Sequence, residues 1–338
     1  MSEKRVFPET MKAVFLEKQV GPLVVKEVKI PNPGPNEVLI KMSAAPVNPS
    51  DLARIRNAHL EYDLATFIPG LEGSGIVVAA GKGILPHFWL GKRVACSAEY
   101  HTSGTWAEYM VTMAGKCFPL GSKVSDEQGS MSLVNPLTAI AFFEIIKQNK
   151  HRAIINNAAA SALGRMVELL CKKSRIPVIN IVRNQAQLMM LRQLGSKYVL
   201  DSSDPSFIKD LGTVSHNLSA TLLFDSVCSR QLELMCDALP PGSTIIIYGN
   251  LSGEEQIMVK PRTIIANNLK ISGFYLGTRA KENGLFRNLM NLRKVRALMS
   301  RDLKISIQGR FPISQVQEAV DTYLGNMSAG KVLLLMDS

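Results

Sequence analysis

Residues 154–183, IINNAAASALGRMVELLCKKSRIPVINIVR, predict a strand, a tight turn of small residues, an amphipathic helix and a second strand that ends on a cation. The apolar start leads into a run of asparagine, alanine and serine, whose small side chains let a backbone approach a ligand closely. A helix is predicted to begin near Ser161, because apolar residues then recur at helical spacing: Leu163, Val167 and Leu170. Residues 178–182 are the second buried strand.

The start of this helix and the end of the second strand have the chemistry of a dinucleotide site. A helix points its free backbone N–H groups toward the turn that precedes it, and that end suits a pyrophosphate. Arg183 follows the second strand, where an NAD-preferring site usually carries an acidic residue for the ribose hydroxyls. Because a guanidinium pairs with a 2′-phosphate through two hydrogen bonds, Arg183 indicates NADPH.

The turn has few glycines. Of the fingerprint G-x-G-x-x-G, it keeps only the last glycine, Gly164, and it has Ala158 and Ala162 at positions where glycine is common. Alanine carries a Cβ, so a positive φ or a very close phosphate approach would be strained there. The stretch taken alone therefore leaves a second interpretation open, an ordinary βαβ crossover with an alanine-rich helix start.

The composition indicates a globular chain of about two domains. The chain has 338 residues, 46% hydrophobic and 20% charged. No apolar run approaches the roughly 18 residues of a membrane span, so we expect no transmembrane segment. The net charge of +11 favours anionic ligands or partners, but the sequence has no nucleic-acid recognition motif and we expect no nucleic-acid partner. One basic concentration predicts a solvated helix face, or else a docking surface for an acidic partner or coenzyme phosphates: Arg287, Arg293, Lys294, Arg296 and Arg301.

The cysteines and the N-terminus bear on localisation. Five cysteines without a C-x-x-C pair predict neither a disulfide framework nor a structural zinc site, so a reducing intracellular compartment fits. Residues 1–10 lack the apolar core of a secretory signal, and Glu3 and Glu9 are atypical of a transit peptide. We therefore expect the cytoplasm, or the mitochondrial matrix for a form that has lost its presequence.

The order of the predicted strands and helices along the chain indicates an α/β fold with two domains. From Lys12 to Phe118, short strands alternate with proline and glycine, and one of these strands is predicted at residues 106–111. Asn135 is predicted to cap a helix with Pro136 at its first position, and beyond it six strands alternate with helices. Such alternation indicates a Rossmann-type doubly wound parallel sheet. Residues 332–335 predict one more strand, which returns to the first domain.

The ordered motifs resemble those of the medium-chain dehydrogenase/reductase family over nearly the whole chain. They are VNPSD at 47–51, GLEG at 70–73, GTWAE at 104–108, NPLTA at 135–139, INIVR at 179–183 and GFYL at 273–276. The likeness is greatest to the zinc-independent branch, which contains quinone oxidoreductases and mitochondrial 2-enoyl thioester reductases. It implies a β-rich GroES-like substrate domain at residues 1–124 and 306–338, and a Rossmann dinucleotide-binding domain at 125–305. It also implies a homodimer or membership of a larger complex.

Zinc ligands of the family are missing from the motifs. Zinc-dependent members have an early cysteine and a histidine before the glutamate that matches Glu72, but here Leu71 holds that place and residues 47–51 contain no cysteine. We therefore expect no metal site. Asp51 and Glu72 are interpreted as carboxylates that support the fold, with catalytic roles as the alternative.

The resemblance also implies a set of cofactor-binding residues. The turn would meet the pyrophosphate through Ala160, Ser161, Ala162, Leu163 and Gly164, and Arg183 would meet the adenosine phosphate. Near the nicotinamide half would lie Thr138, Tyr248 and Leu276. For these three, the alternatives are a helix-start hydroxyl and packing at strand ends.

The catalytic position departs from the family pattern. Enoyl thioester reductases have a tyrosine eight residues after the aspartate of the motif, and this chain has His59 there. A histidine could donate the proton that follows hydride delivery, Tyr62 could substitute for it, or both could be inert. Asn48 could polarise the substrate carbonyl.

Two functions follow from these residues. The first is an NADPH-dependent oxidoreductase that reduces an activated double bond, in an enoyl thioester or a quinone-like enone, without zinc. The alternative is a catalytically impaired protein of the same fold that serves as a nucleotide-binding or structural subunit of a larger, mitochondrial assembly.

Overall fold

The computed structural model describes residues 8–17, 21–61, 66–98, 104–301 and 303–336. The chain divides into two compact units, one formed by Met1–Val134 with Val295–Ser338 and the other by Asn135–Lys294.

The first unit is rich in antiparallel strands. Its strands are β1 (Thr10–Leu16), β2 (Leu23–Lys29), β3 (Glu37–Pro46), β4 (Glu72–Ala80), β5 (Arg93–Ser97), β6 (Tyr109–Met113), β7 (Cys117–Pro119), β14 (Ile307–Pro312) and β15 (Lys331–Leu335). Its helices are α1 (Pro49–Glu61), α2 (Ile84–Trp89), α3 (Asp126–Ser130) and α11 (Val316–Gly325), with 3-10 turns at Ala114–Lys116 and Ile313–Gln315. One sheet has the order β14-β15-β3-β4-β5-β7, β6 also pairs with β3, and β1 and β2 form a separate pair.

The second unit is a parallel α/β layer. Its strands are β8 (Ala153–Asn156), β9 (Val178–Val182), β10 (Tyr198–Asp201), β11 (Ala220–Asp225), β12 (Thr244–Ile247) and β13 (Lys270–Gly273). Its helices are α4 (Val134–Gln148), α5 (Ala162–Lys173), α6 (Gln185–Gln193), α7 (Phe207–Leu218), α8 (Gln231–Ala238), α9 (Pro261–Ala266) and α10 (Leu276–Arg301), and α10 is kinked at Gly284.

The six strands of the second unit have the order β10-β9-β8-β11-β12-β13, and every neighbouring pair is parallel. The chain therefore moves outward from β8 to one edge, returns beside β8 at β11, and proceeds to the other edge. This is the doubly wound arrangement, and it confirms the predicted fold class together with the β-rich first unit. In the part of the chain that the structure describes, no helix is long and apolar enough to cross a bilayer.

The core explains why these segments form strands. Ile154, Ile155 and Ile179 are fully buried in the parallel sheet, because a sheet covered on both faces takes continuous apolar runs instead of alternating ones. In the first unit, the buried cluster brings β3, β4, β5, β15 and α11 together, and β15 pairs with β3 from Leu333 opposite Pro46. The predicted return of residues 332–335 to the first domain is confirmed.

Two local predictions were wrong. The strand predicted at 106–111 begins only at Tyr109, and before it Ala107 forms a single bridge with Ala13 of β1. The N–H groups of residues 104–106 donate to the carbonyls of residues 68–70. Helix α4 begins at Val134, before the predicted cap at Asn135. A carboxylate that is distant in sequence, Glu72, accepts the N–H groups of Leu133 and Val134 at 2.9 Å and stabilises the earlier start.

Candidate functional site

The carboxyl edge of the parallel sheet gathers the polar side chains of the second unit. Asn156 ends β8 and Asp225 ends β11. The residues that directly follow strands at this edge are Asn157 after β8, Arg183 after β9 and Tyr248 after β12. Strand order reverses between β8 and β11, and in open α/β sheets ligands bind outside the carboxyl ends at such a point. Asn157 bridges it, because its Nδ2 donates to Asp225 Oδ1 at 2.8 Å.

The turn after β8 is tight. The Ala158 N–H donates to Asn157 Oδ1 at 2.8 Å, and the Ser161 N–H donates to the Ala158 carbonyl at 3.0 Å. The Ala159 N–H donates to the carbonyl of Ile181 at 3.1 Å, so the turn folds over the end of β9, two residues before Arg183. Ala158 has φ 55°, in the left-handed region that favours glycine. Ala158 therefore adopts the positive φ that is strained for an alanine.

The start of α5 is fixed by a cap and a glycine. Ser161 Oγ accepts the N–H of Gly164 at 3.0 Å and caps the helix. A Cβ at Gly164 would lie 2.5 Å from the Ala159 carbonyl oxygen, so only glycine allows the helix to approach the turn this closely. Within the described residues, no protein group accepts a hydrogen bond from the N–H groups of Ala160, Ala162 or Leu163. Three donors and the positive end of a helix together favour an anion.

Arg183 is exposed immediately after β9. Its backbone N–H donates to Gln187 Oε1 at 3.2 Å, and Asn184 caps the following helix, α6, so the backbone at this corner is held on both sides. Among the described residues, no carboxylate lies within ion-pair distance of the Arg183 guanidinium. The side chain is therefore available to an external anion.

Asp225 is a buried polar residue that the sequence did not single out. Its Oδ1 accepts from Asn157 and from the N–H groups of Val227 at 2.8 Å and Cys228 at 3.3 Å. Its Oδ2 is buried and has no hydrogen-bond partner among the described residues, and the same is true of Asn156 Oδ1. Two unsatisfied acceptors at one sheet edge suit a water or a donor on a ligand. The signal in the sequence is an aspartate directly after the apolar strand ATLLF.

The remaining predicted cofactor residues lie at or near this edge or on helices of the same unit. The Tyr248 ring packs edge-on against Phe142 with ring centroids 4.9 Å apart, and Phe142 stacks on Phe224 at 4.0 Å. Burial raises the pKa of Tyr248 to about 12, so its phenol is neutral at physiological pH. Thr138 is buried in α4, and Leu276 is half-buried as the first residue of α10.

The first unit contains a buried polar cluster of Asn48, Asp51, Glu72 and Lys331. Asn48 Nδ2 donates to Glu72 Oε1 at 3.1 Å, and Lys331 Nζ donates to Asn48 Oδ1. Asp51 accepts the N–H of Asn48 at 2.9 Å and that of Leu71 at 2.8 Å. Each of the four cluster residues is at most 2% exposed. The contacts of both carboxylates are thus mostly to backbone N–H groups.

Burial sets the ionisation of this cluster. Desolvation raises the pKa of Asp51 to about 7, with a smaller push in the same direction from the charge of Glu72. Desolvation also raises the pKa of Glu72 above its usual range, opposed mainly by the charge of Lys331. For Lys331, burial lowers the pKa, and the two carboxylates act against that shift. The cluster therefore holds partly neutralised groups in an apolar surrounding.

A zinc ion does not fit this cluster. Both oxygens of Asp51 and of Glu72 are engaged by donors, and the Lys331 ammonium already supplies a cation beside Asn48. Across the described part of the chain, no group of three or more histidine, cysteine, aspartate or glutamate side chains could hold a metal ion.

The structure describes the three predicted catalytic residues to different extents. Asn48 is in the buried cluster, with its amide oxygen and one amide hydrogen already engaged. His59 lies on α1, but its side chain is outside what the structure describes, and Tyr62 lies outside the described residues altogether. The catalytic roles of all three stay predictions.

Comparison with known proteins identifies two sequence families. Residues 34–122 match the model of the Alcohol dehydrogenase GroES-like domain, and residues 162–292 match that of the Zinc-binding dehydrogenase. A mitochondrial enoyl-[acyl-carrier-protein] reductase of Arabidopsis thaliana is 29% identical over 277 residues, 78% of this chain and 72% of that protein. A Schizosaccharomyces pombe protein assigned as a quinone oxidoreductase is 25% identical over 94% of this chain and 95% of its own length.

A solved structure agrees with these relatives. The structure of a Mesorhizobium loti protein assigned as an NADPH:quinone reductase superposes with a TM-score of 0.89 at 29% identity, and the match covers 98% of this chain and all of that one. The two matched models follow one another along the chain in the order that the motifs predicted. The chain belongs to the medium-chain dehydrogenase/reductase family of nicotinamide-dependent oxidoreductases, and its relatives include enoyl reductases and quinone oxidoreductases.

Proposed function

We propose that this protein is an NADPH-dependent reductase of an activated double bond, in an enoyl thioester or a quinone-like enone, and that it acts without zinc. One observation carries the proposal: the capped start of α5 presents three N–H groups without protein acceptors beside an exposed Arg183 that has no carboxylate partner among the described residues. A pyrophosphate fits the former and a 2′-phosphate fits the latter.

The residues of the second unit divide the work of holding the dinucleotide. The N–H groups of Ala160, Ala162 and Leu163 bind the pyrophosphate, and Gly164 allows the helix start to come close. Arg183 pairs with the adenosine 2′-phosphate. The bound NADPH supplies the hydride. We assign the nicotinamide half to Thr138, Tyr248 and Leu276, with Tyr248 acting as a neutral hydrogen-bond donor.

The substrate class rests on the relatives and on the chemistry of hydride acceptors. An enoyl reductase and a quinone oxidoreductase both reduce a carbon–carbon double bond or ring conjugated to a carbonyl. In an enoyl thioester, hydride delivery to one carbon requires a proton at the neighbouring carbon, and in a quinone-like acceptor the proton goes to an oxygen; we propose His59 or Tyr62 as the donor. Asn48 could polarise the substrate carbonyl only through one amide hydrogen, because its other polar atoms already bind Glu72 and Lys331.

Two further parts of the proposal concern organisation. The substrate binds to the domain formed by residues 1–124 and 306–338, and the dinucleotide binds to the domain formed by residues 125–305. We propose that the protein works as a homodimer or as a subunit of a larger complex. The mitochondrial enoyl reductases among its relatives favour the mitochondrial matrix as its location, with the cytoplasm as the alternative.

The nucleotide preference is tested by fluorescence titration with NADPH and NADH. We expect Arg183→Gln to weaken NADPH binding by about 10–100-fold, the loss of a charge-assisted hydrogen-bonded pair, and to change NADH binding by less than about threefold. Arg192→Gln is the matched control, because Arg192 is also exposed and lies on the adjacent helix α6. An unchanged ratio of NADPH to NADH affinity in Arg183→Gln, or an equal loss in both variants, would refute the role of Arg183.

Turnover is tested separately, with NADPH and either crotonyl-CoA or a small quinone as acceptor. Loss of absorbance at the NADPH band with either acceptor supports the reductase and separates the two substrate classes. Tight NADPH binding with no turnover of either acceptor class would contradict the reductase function and favour a subunit that has lost catalysis.

The second function is a nucleotide-binding or structural subunit that has lost catalysis. Ala158 favours it, because an alanine in the left-handed conformation puts a Cβ on a turn that dinucleotide sites keep bare. Purification at fixed stoichiometry with several other proteins would support this function. An isolated homodimer that turns over enoyl substrates would exclude it.

A further inference from the structure

An exposed apolar segment lies in the first unit between β4 and β5. Residues 81–92 read GKGILPHFWLGK, and α2 lies at their centre. Ile84 is 92% exposed, Phe88 56%, Leu85 46% and Leu90 43%. Single exposed apolar residues are normal on a protein surface, but four large ones within seven positions form a patch. We call these four residues the α2 patch.

The backbone holds the α2 patch outward. Pro86 and Trp89 are the buried residues of α2 and attach the helix to the unit. Ile84 and Phe88 are four residues apart, so they share the opposite face. Gly83, with φ 129°, and Gly91, with φ 73°, turn the chain at the two ends in conformations that other residues rarely adopt. The exposure thus follows from a defined fold of the segment.

The charged side chains of the segment itself are all positive. Between Glu72 and Glu99 the sequence has Lys82, Lys92 and Arg93 and no carboxylate. Arg93 is bound to Asp126 at 2.7 Å, but Lys82 is exposed, and Lys92 Nζ lies 3.0 Å from the centre of the Phe88 ring. Lys82 and Lys92 therefore flank the apolar side chains of the α2 patch.

We propose that the α2 patch is a docking site for an anionic phospholipid surface. Apolar side chains flanked by lysines suit a bilayer interface, where the hydrocarbon boundary accepts the former and the headgroups attract the latter. A stable protein partner fits less well, because such an interface takes roughly 20–30 residues a side, and this patch is one short helix and the residue after it. The attachment is peripheral and reversible.

The test is sedimentation of the full-length protein with vesicles of phosphatidylcholine alone and of phosphatidylcholine mixed equally with phosphatidylglycerol. We expect binding to the anionic vesicles only, and weaker binding at high salt. Lys82→Gln should reduce the partition coefficient by about fivefold. The double variant Ile84→Ser/Phe88→Ser should reduce it by more than about tenfold, because both apolar side chains are lost from the interface.

The matched control replaces two other exposed apolar residues. Ile265 and Leu194 are 80% and 58% exposed in the second unit, so Ile265→Ser/Leu194→Ser should bind vesicles as the native protein does. Circular dichroism of each variant confirms that it is folded, and Lys82→Gln tests the proposal even if the double variant is not. Equal binding by native protein and both patch variants, or loss only in the control, would overturn the proposal. So would a concentration-dependent self-association that Ile84→Ser/Phe88→Ser abolishes while no vesicle binds, because the patch would then contact a second copy.

Discussion

Replacing Ala158 by glycine should stabilise the protein, although glycine substitutions usually destabilise. Ala158 has φ 55°, and its conformation is held by the hydrogen bonds from its N–H to Asn157 Oδ1 and from the Ser161 N–H to its carbonyl. The turn therefore imposes the left-handed conformation, and the residue itself does not prefer it. Glycine adopts this conformation without a clash between Cβ and the backbone.

The size of the effect is a difference between two opposing terms. A left-handed conformation costs a non-glycine residue roughly 1–2 kcal/mol. Glycine gives the unfolded chain more freedom, which offsets about 0.4–1 kcal/mol of that gain. The free energy of unfolding should thus rise by about 0.8 kcal/mol. For a domain of this size, the midpoint of thermal unfolding should increase by about 2 °C.

Urea denaturation measures this difference in Ala158→Gly and in two comparison variants of the same turn. Ala159→Gly makes the same substitution one residue later, at a buried position that packs with Val182 and Leu188, and should destabilise by about 1 kcal/mol. Gly164→Ala should destabilise by about 1–3 kcal/mol, because its Cβ would meet the Ala159 carbonyl oxygen at 2.5 Å. If Ala158→Gly lost as much stability as Ala159→Gly, the turn would not impose strain and the reasoning would fail.

Two further predictions concern the buried cluster of the first unit. Lys331→Met should lower the free energy of unfolding by about 3–5 kcal/mol, measured in urea at pH 7, because it removes the buried cation that acts on both Asp51 and Glu72; a loss below about 1 kcal/mol would contradict this. Burial raises the pKa of Asp51 to about 7, so the folded state binds this proton more tightly than the unfolded chain and stability falls as pH rises from about 4 to about 7. The decrease is at most about 4 kcal/mol, and urea titrations at several pH values should show it reduced in Asp51→Asn; an unchanged pH slope in that variant would exclude Asp51 as its source.

The sequence predicted what depends on neighbours in the chain. The apolar runs of 154–155 and 178–182, the small residues between them and the spacing of the helix fix β8, α5 and β9 locally. The same local logic placed the helix start near Ser161 and matched Gly164 to the last glycine of the fingerprint. In the structure, Ser161 caps the helix through a hydrogen bond, and a Cβ at Gly164 would meet the Ala159 carbonyl oxygen. Alternation of such units then determines a doubly wound sheet, because parallel neighbours need a helical crossover.

The features that the sequence did not predict depend on residues that are far apart. The start of the strand predicted at 106–111 was wrong because the N–H groups of residues 104–106 donate to a loop that is distant in sequence. The cap of α4 comes from Glu72, 62 residues away from Val134. Lys331 is the clearest example, since it reaches Asn48 across 283 residues. No local pattern marks a lysine in the strand KVLLL as buried, because its partners are set by the pairing of β15 with β3.

This difference bears on which unit tolerates change. In the second unit, the turn that we propose for the pyrophosphate is built from residues 157–164, and its hydrogen bonds are mostly local. Single substitutions there should therefore act on nucleotide binding with effects of about 1–3 kcal/mol. In the first unit the cluster joins α1, β4 and β15, so a single substitution leaves a buried charge without its partner and acts on the fold itself. Loss of activity in a variant of Asn48 therefore needs a stability measurement before it can be assigned to catalysis, whereas loss of NADPH binding in a variant of exposed Arg183 does not.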